Sequence, residues 1–157
     1  MRVILLVILG FVCGPLQAER DFLVDADWLS EHIHDDNLVI LGVCYHPHRY
    51  FTIGHIAGAV QVQRFKDLGD NQASPLMRIP SQQDFQARLR SWGVNDNSTI
   101  VVYDDSSTAL ASRVYFLLDL YGFNMQQVKI LDGGTIEWEA FEGITKQLPV
   151  VAAGQVT

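Results

Sequence analysis

Hydrophobic positions in this chain fall into short continuous runs that alternate with amphipathic stretches. Continuous apolar runs of strand length are typical of strands buried on both faces, whereas the amphipathic stretches are typical of surface helices. Five strands are predicted, near residues 22–24, 38–43, 59–62, 99–103 and 128–131. This alternation predicts an α/β fold with a parallel sheet and helices on both of its faces.

Polar residues mark where the predicted helices begin and end. The first helix is expected to begin at Asp25 or Asp27. Ser81-Gln-Gln-Asp84 is a capping box that opens a second helix, and Gly93 closes it with a left-handed residue. The stretch 65–80 contains glycines and prolines without clear periodicity and is predicted to be a loop.

The N-terminus has the pattern of a secretory signal peptide over residues 1–18. Arg2 precedes an apolar run from Val3 to Val12, and the small residue Ala18 stands ahead of a charged pair. A retained membrane anchor is the alternative, but the run is shorter than the roughly 18–20 residues that a span needs. We therefore expect an exported protein, periplasmic or otherwise secreted, without a stable membrane anchor. Its domain would cover residues 19–148, and the small, polar segment 149–157 would be a linker stub.

The net charge of the chain argues against a nucleic-acid partner, and its cysteine content argues against an internal disulfide. Eighteen acidic against eleven basic side chains give a net charge of −7, without a basic patch for nucleic acid. Small anions would therefore be captured by local dipoles against an unfavourable overall field. Cys13 would leave with the signal peptide, so Cys44 would remain alone and an internal disulfide is excluded.

The strongest candidate site is the loop that follows the central strand. Ligands of parallel sheets bind where strands end, and the N-terminus of the next helix offers unpaired amides to an anion. Here the loop holds only polar side chains and no cysteine: Asp104, Asp105, Ser106, Ser107 and Thr108. These side chains could bind a cation or a polar ligand, but Asp and Ser at this place are more typical of helix caps.

Four segments in this order resemble the rhodanese family of sulfurtransferases. They are Leu41–Cys44, Gly54–Ala59, Val101–Asp104 and Leu131–Gly134, the last followed by Trp138. The resemblance spans about residues 22–148 and implies a five-stranded parallel sheet with a catalytic loop after the fourth strand. Rhodaneses pass a sulfur atom through a persulfide on a cysteine at the first position of that loop.

In this chain the position of the catalytic cysteine is Asp104, and this departure changes the expected function. A carboxylate is a poor sulfur nucleophile, and it repels an incoming anion at close range. The segment resembles the noncatalytic first domain of a tandem rhodanese, which implies a second rhodanese domain beyond Thr157 that handles a small sulfur-donor anion. Arg113 could contact that domain or the substrate, or pair with a carboxylate. Smaller departures are Gly42, Cys44 and Ala57, where the family often has aspartate, arginine and proline.

A second, weaker candidate cluster contains Cys44, His46, His48 and His55. Thiol and imidazole at short spacing suit zinc or copper, and Cys44 could also be a displaced nucleophile. The spacing is nonspecific, however, and His55 belongs to a motif that the family uses structurally. A buried or loop thiol is the simpler interpretation, and we expect neither a metal nor another cofactor.

Three functional hypotheses follow from these residues. The first is the noncatalytic N-terminal half of an exported thiosulfate or mercaptopyruvate sulfurtransferase, with the catalytic cysteine outside this chain. The second is a stand-alone pseudoenzyme that binds a partner or a small ligand. The third is a sulfur carrier that uses Cys44 itself.

Overall fold

A five-stranded, entirely parallel sheet organises the part of the chain that the structure describes. This computed structural model describes residues 22–70 and 77–157. The strands are paired in the order β1-β5-β4-β2-β3. They comprise β1 (Leu23–Val24), β2 (Leu38–Cys44), β3 (Val60–Gln63), β4 (Thr99–Asp104) and β5 (Val128–Leu131). The predicted α/β fold with five parallel strands is therefore confirmed.

Helices cover both faces of this sheet. They are α1 (Ala26–His32), α2 (Arg49–Thr52), α3 (Arg64–Asp67), α4 (Gln82–Ser91), α5 (Ala109–Leu120) and α6 (Gly134–Phe141), with a 3-10 turn at Met125–Gln127. Alternate residues of β4 point to opposite faces. Ile100 and Val102 pack in the core under α4 and α5, whereas Val101 and Tyr103 pack in the core under α1 and α6. Both faces of the central strand are thus buried, which explains its continuous apolar sequence.

The predicted helix signals act at the positions expected from the sequence. The Asp25 side chain accepts a hydrogen bond from the backbone of Trp28 at 2.8 Å and caps α1. The Ser81 hydroxyl accepts from the Asp84 amide at 3.1 Å and caps α4. Gly93, just beyond α4, has a φ of +81°, the left-handed conformation that glycine adopts without strain.

Two short helices were not predicted. α2 and α3 have four residues each, and one turn is too short to produce a helical period of apolar residues. α3 begins at Arg64 and so occupies the start of the stretch 65–80, which the sequence predicted as loop. Part of that predicted loop, residues 71–76, lies outside the described residues.

The segment 149–157, which the sequence predicts to be a linker, runs along α4. The Gly154 amide donates to the Arg90 carbonyl at 2.7 Å, and Arg90 Nε donates to the Val156 carbonyl at 3.0 Å. The Val156 side chain is buried in the core, and the Asp96 carboxylate accepts from the backbone and the hydroxyl of the last residue. The segment is therefore a strap that is bound to the domain by backbone hydrogen bonds and one apolar anchor.

The predicted signal peptide, residues 1–18, lies outside the described residues. Among the helices that the structure describes, none combines the length and the apolar character that a membrane span requires.

Candidate functional site

The candidate site is the loop between β4 and α5, at the carboxyl edge of the sheet. Ser107 and Thr108 have φ values of +56° and +70°, a left-handed conformation that is uncommon for residues with a side chain. Such backbone strain persists only where surrounding contacts hold it, and it is frequent at binding and catalytic loops. Here the conformation brings several backbone amides toward one point, as expected of an anion-binding loop.

That point is occupied by the carboxylate of Asp104. Its Oδ1 accepts from the amides of Ser106 and Thr108 at 3.1 and 2.9 Å. Its Oδ2 accepts from the amides of Leu110 and Ala111 at 2.7 and 3.0 Å, and from the Ser106 hydroxyl at 2.8 Å. The residue is only 4% exposed. An anion of the chain itself therefore fills the loop and takes up the first amides of α5.

Asp105, the next residue, points away from this centre and ties the loop to the end of β2. Its Oδ1 accepts from the Tyr45 amide at 2.6 Å, and its Oδ2 forms an ion pair with Arg49 Nη1, also at 2.6 Å. Sequence reasoning grouped Asp105 with Asp104 and missed both of these partners. The adjacent residues therefore have separate roles, one inside the loop and one bracing it from outside.

The last strand contributes to the site through its Asp-Gly-Gly turn. Gly133 and Gly134 have φ values of +68° and +55°. A Cβ at Gly134 would overlap the Asp104 carbonyl oxygen, so only glycine allows α6 to begin this close to the loop. The Thr135 hydroxyl donates to the same carbonyl at 3.2 Å. The turn therefore fixes the backbone of Asp104, whose side chain fills the loop.

Gly42, one of the departures from the rhodanese pattern, lies beside Tyr103 in the register of β2 and β4. A Cβ on Gly42 would lie 2.6 Å from the Tyr103 hydroxyl oxygen. That hydroxyl accepts a hydrogen bond from the Ile56 amide at 3.2 Å. The missing side chain at 42 thus leaves room for the tyrosine ring, whose hydroxyl in turn holds Ile56 within the segment Gly54–Ala59.

Cys44 lies at the end of β2 and is a poor candidate for a nucleophile. Its side chain is buried, and burial is the main cause that raises the pKa of its thiol to about 11. The charges of Asp105 and Asp104 raise this pKa further, whereas Arg49 lowers it. Because the thiolate is the reactive form, this environment suppresses the reactivity of Cys44 near neutral pH.

The three histidines of the weaker cluster do not form one site. His46 and His48 are exposed, with ring centroids 5.7 Å apart. His55 is buried, stacks on Tyr50 at 3.7 Å, and has both ring nitrogens close to backbone carbonyls, at 3.0 and 3.1 Å. Among the described residues there is no group of three or more His, Cys, Asp or Glu side chains with the arrangement of a metal site.

Arg113 binds the backbone both before and after residues 71–76. Its Nε donates to the Leu68 carbonyl at 2.9 Å, and its Nη2 donates to the Met77 carbonyl at 2.5 Å. Burial lowers the pKa of this guanidinium from its ordinary value. The sequence suggested a carboxylate, a substrate or a second domain as its partner; within the described residues it binds two carbonyl oxygens. A single sequence cannot predict such partners, because they are backbone atoms of a distant loop.

Fold and site together define a class of protein. It is a parallel α/β domain in which the central strand ends in an amide-lined loop at a helix N-terminus, with the chain's own carboxylate inside. Residues 25–141 match the sequence profile described as "Rhodanese-like domain". The chain belongs to the rhodanese family, as the four sequence segments predicted.

Curated proteins similar to this chain include sulfurtransferases. A putative thiosulfate sulfurtransferase from Mycolicibacterium smegmatis is 33% identical over 123 residues, covering 78% of this chain and 42% of the relative. A 3-mercaptopyruvate sulfurtransferase from Escherichia coli is 29% identical over 126 residues, covering 75% of this chain and 44% of the relative. The chain thus spans less than half the length of these curated relatives.

Solved structures agree with this assignment. The crystal structure of SseA from Escherichia coli, described under 3-mercaptopyruvate sulfotransferases, matches with a TM-score of 0.75 at 28% identity. The match covers 85% of this chain and 53% of that structure. This chain is therefore similar to about one half of a longer rhodanese-fold protein.

Proposed function

We propose that this chain is the noncatalytic N-terminal rhodanese-like domain of an exported sulfurtransferase, with the catalytic cysteine in a second domain beyond Thr157. The similarity to thiosulfate and mercaptopyruvate sulfurtransferases supports the reaction class. The length of those relatives supports a second domain, since this chain matches only 42–44% of each. A small sulfur-donor anion would be bound and turned over by the second domain.

The observation that carries this proposal is the Asp104 carboxylate inside the loop. A persulfide carrier needs a thiolate that attacks the donor and then holds the sulfur atom. The carboxylate supplies no such nucleophile, it accepts hydrogen bonds from four backbone amides, and its charge repels a second anion. The loop of this domain therefore stabilises the fold, and the domain acts as a supporting wall for its catalytic partner.

The environment of Cys44 argues against a sulfur carrier within this chain. A pKa of about 11 leaves on the order of one thiol in a thousand ionised near pH 8. The Asp105 charge beside it also repels anionic donors. Nor does any contact in the described residues favour a stand-alone pseudoenzyme over the two-domain protein.

A test compares the 157-residue chain with the polypeptide encoded by the complete reading frame. Both are incubated with thiosulfate or mercaptopyruvate, assayed for sulfur transfer to cyanide, and mapped by mass spectrometry for added sulfur. We expect transfer only by the longer polypeptide, with the sulfur on a peptide beyond residue 157. Cys44→Ser is the matched control and should leave the transfer rate unchanged. Sulfur found on Cys44, or a reading frame that stops at Thr157, would overturn the proposal.

Export is a separate part of the proposal and rests on the pattern of residues 1–18. Cell fractionation and N-terminal sequencing of the mature protein test it. We expect a periplasmic protein whose first residue follows Ala18. A mature protein that retains Met1 in the cytoplasm would contradict export without affecting the proposed division of labour between two domains.

A further inference from the structure

The turn between β5 and α6 holds a side-chain carboxylate against the backbone amide that directly follows it. Asp132 Oδ1 accepts a hydrogen bond from the Gly133 amide at 3.0 Å. The carboxyl carbon lies one covalent bond from this oxygen, and reacting atoms must approach to about 3–3.5 Å. Asp132 and Gly133 are both exposed, and they line an open cleft together with Asp25 and Glu137. The turn therefore keeps a nitrogen and a carboxyl carbon of neighbouring residues close together, within reach of water.

The fold itself requires the glycine of this pair. Gly133 has a φ of +68°, and a Cβ at this position would overlap Cγ of Glu137. Because glycine has no side chain, nothing on residue 133 shields its amide from the preceding carboxyl group. An aspartate followed by glycine is the dipeptide in which attack of the amide on the carboxyl carbon is least hindered. The packing that fixes the turn thus also fixes a chemically labile pair.

We propose that Asp132–Gly133 is a modification site at which the chain isomerises its own backbone to isoaspartate. The Gly133 nitrogen attacks the Asp132 carboxyl carbon, and the new N–C bond closes a succinimide ring. The carboxyl OH and the amide proton leave together as water. A second water then breaks the original peptide bond at the Asp132 carbonyl carbon, so the former side-chain carbons become part of the main chain. One water is released and one is consumed, and no oxidant or reductant takes part.

Isomerisation of this turn affects the Asp104 loop, because the two are packed together. Gly134 is buried, and a Cβ on it would overlap the Asp104 carbonyl oxygen. The Thr135 hydroxyl donates to the same oxygen at 3.2 Å. Isoaspartate lengthens the main chain between β5 and α6 by one methylene group, and a turn packed this closely has no room for it. The modification therefore loosens the backbone of Asp104, whatever the second domain does.

Ageing of the folded chain near neutral pH, followed by peptide mapping, tests the proposal. The succinimide appears as the loss of one water from the peptide that contains Asp132, and electron-based fragmentation distinguishes isoaspartate from aspartate. Asp96 is the internal control, because it is also exposed in a turn but is followed by a residue with a side chain, and its carboxylate accepts from Thr157. We expect isoaspartate to accumulate several-fold faster at residue 132 than at residue 96.

A parallel incubation of the chain unfolded in guanidinium separates the effect of the turn from that of the dipeptide. In the unfolded chain the amide and the carboxyl group meet only by chance, so the dipeptide alone sets the rate. We expect the folded chain to isomerise at Asp132 at least as fast as the unfolded chain. Isoaspartate that forms at this residue only in guanidinium, or that forms equally fast at Asp96, overturns the proposal.

Comparison of aged with fresh chains tests the effect on the loop. The isomerised chains should unfold at lower urea concentration, and the amides of Leu110 and Ala111, which Asp104 binds, should exchange hydrogen faster. Asp132→Glu is the matched control, since its longer side chain cannot close the same ring, and ageing should leave its urea midpoint unchanged. If Asp132→Glu fails to fold, Asp132→Ser, which has no carboxyl group, replaces it. Isomerised chains with an unchanged midpoint and unchanged exchange overturn the coupling to Asp104.

Discussion

Asp104→Ala removes the anion that fills the loop, and we expect it to lower the stability of the domain by several kcal/mol. The change deletes an acceptor of five hydrogen bonds, four from backbone amides and one from the Ser106 hydroxyl. Asp104 is 4% exposed, and the amides of Leu110 and Ala111 belong to buried residues. Those two amides would lose their partner where water replaces it least readily.

The magnitude follows from these two amides. A buried donor that loses its partner costs about 1–3 kcal/mol, so the two amides together should lower the stability of the domain by about 2–6 kcal/mol. The amides of Ser106 and Thr108 lie in half-exposed residues and can turn to solvent, so they add little. A typical domain is stable by about 5–15 kcal/mol, and the loss would therefore be a large part of the total.

Urea unfolding of the 157-residue chain, followed by circular dichroism, measures the effect. Asp104→Asn keeps one acceptor oxygen but turns an NH2 group toward the remaining donors. This variant should therefore also lose more stability than the control Ser106→Ala. The control removes one neutral hydroxyl and should cost about 1 kcal/mol. If Asp104→Ala costs no more than Ser106→Ala, the carboxylate does not hold the loop, and the structural role assigned to Asp104 is wrong.

Three further predictions concern the thiol, the strap and the loop that Arg113 holds. Alkylation of Cys44, followed by peptide mapping, should accelerate as the pH rises toward about 11, and Asp105→Asn should move this profile to lower pH because the Asp105 charge raises the pKa. The folded-state pKa of this thiol lies above its ordinary value of 9.0. The contribution of the thiol to stability should therefore be constant below pH 9.0 and decline as the pH rises from there through about 11, which urea unfolding across alkaline pH measures. Gly154→Ala places a Cβ against the Val94 carbonyl, and overpacking should cost about 1–3 kcal/mol and expose the strap to limited proteolysis. Arg113→Met removes two hydrogen bonds from a charged donor and should lower the urea midpoint by the equivalent of about 2–4 kcal/mol; an unchanged midpoint would show that these bonds contribute nothing.

The sequence predicts the fold well because its main signals are local. The run Leu38–Val43 can only be buried, the capping box at Ser81 has a fixed spacing, and the glycines at 133 and 134 require a turn. Each of these features determines the local structure through residues that lie only a few positions apart in the chain. Alternation of such segments then leaves few arrangements other than a parallel sheet with helices on both faces.

The candidate site is only partly predictable, because its geometry depends on backbone conformations that the residue types do not indicate. Position and chemistry identify Asp104 as the group at the start of the loop, and Asp is a common helix cap. The convergence of four amides on it, however, requires left-handed backbone at Ser107 and Thr108, where no glycine signals that conformation. The ion pair of Asp105 with Arg49 joins residues 56 positions apart, and nothing in a single sequence indicates this pairing.

The strap was missed for a related reason. Residues 149–157 are small or polar and lack periodicity, which is typical of linkers. Their attachment to α4 uses the backbone amide of Gly154 and the backbone carbonyl of Val156, and bonds made by backbone groups leave no pattern in the sequence. Only Val156 contributes a buried side chain, and a single apolar residue is not a pattern.

Because Asp104 occupies the loop, we expect that its replacement by cysteine is not neutral. A carboxylate offers two oxygens, and each serves a different set of donors: Oδ1 binds the amides of Ser106 and Thr108, whereas Oδ2 binds those of Leu110 and Ala111. A single sulfur atom at this position cannot serve both sets at once. Asp104→Cys would therefore introduce a nucleophile into an amide-lined loop and at the same time weaken the start of α5. In this domain the amides that would stabilise a reacting anion already stabilise the fold, so chemical activity and stability compete for the same hydrogen-bond donors.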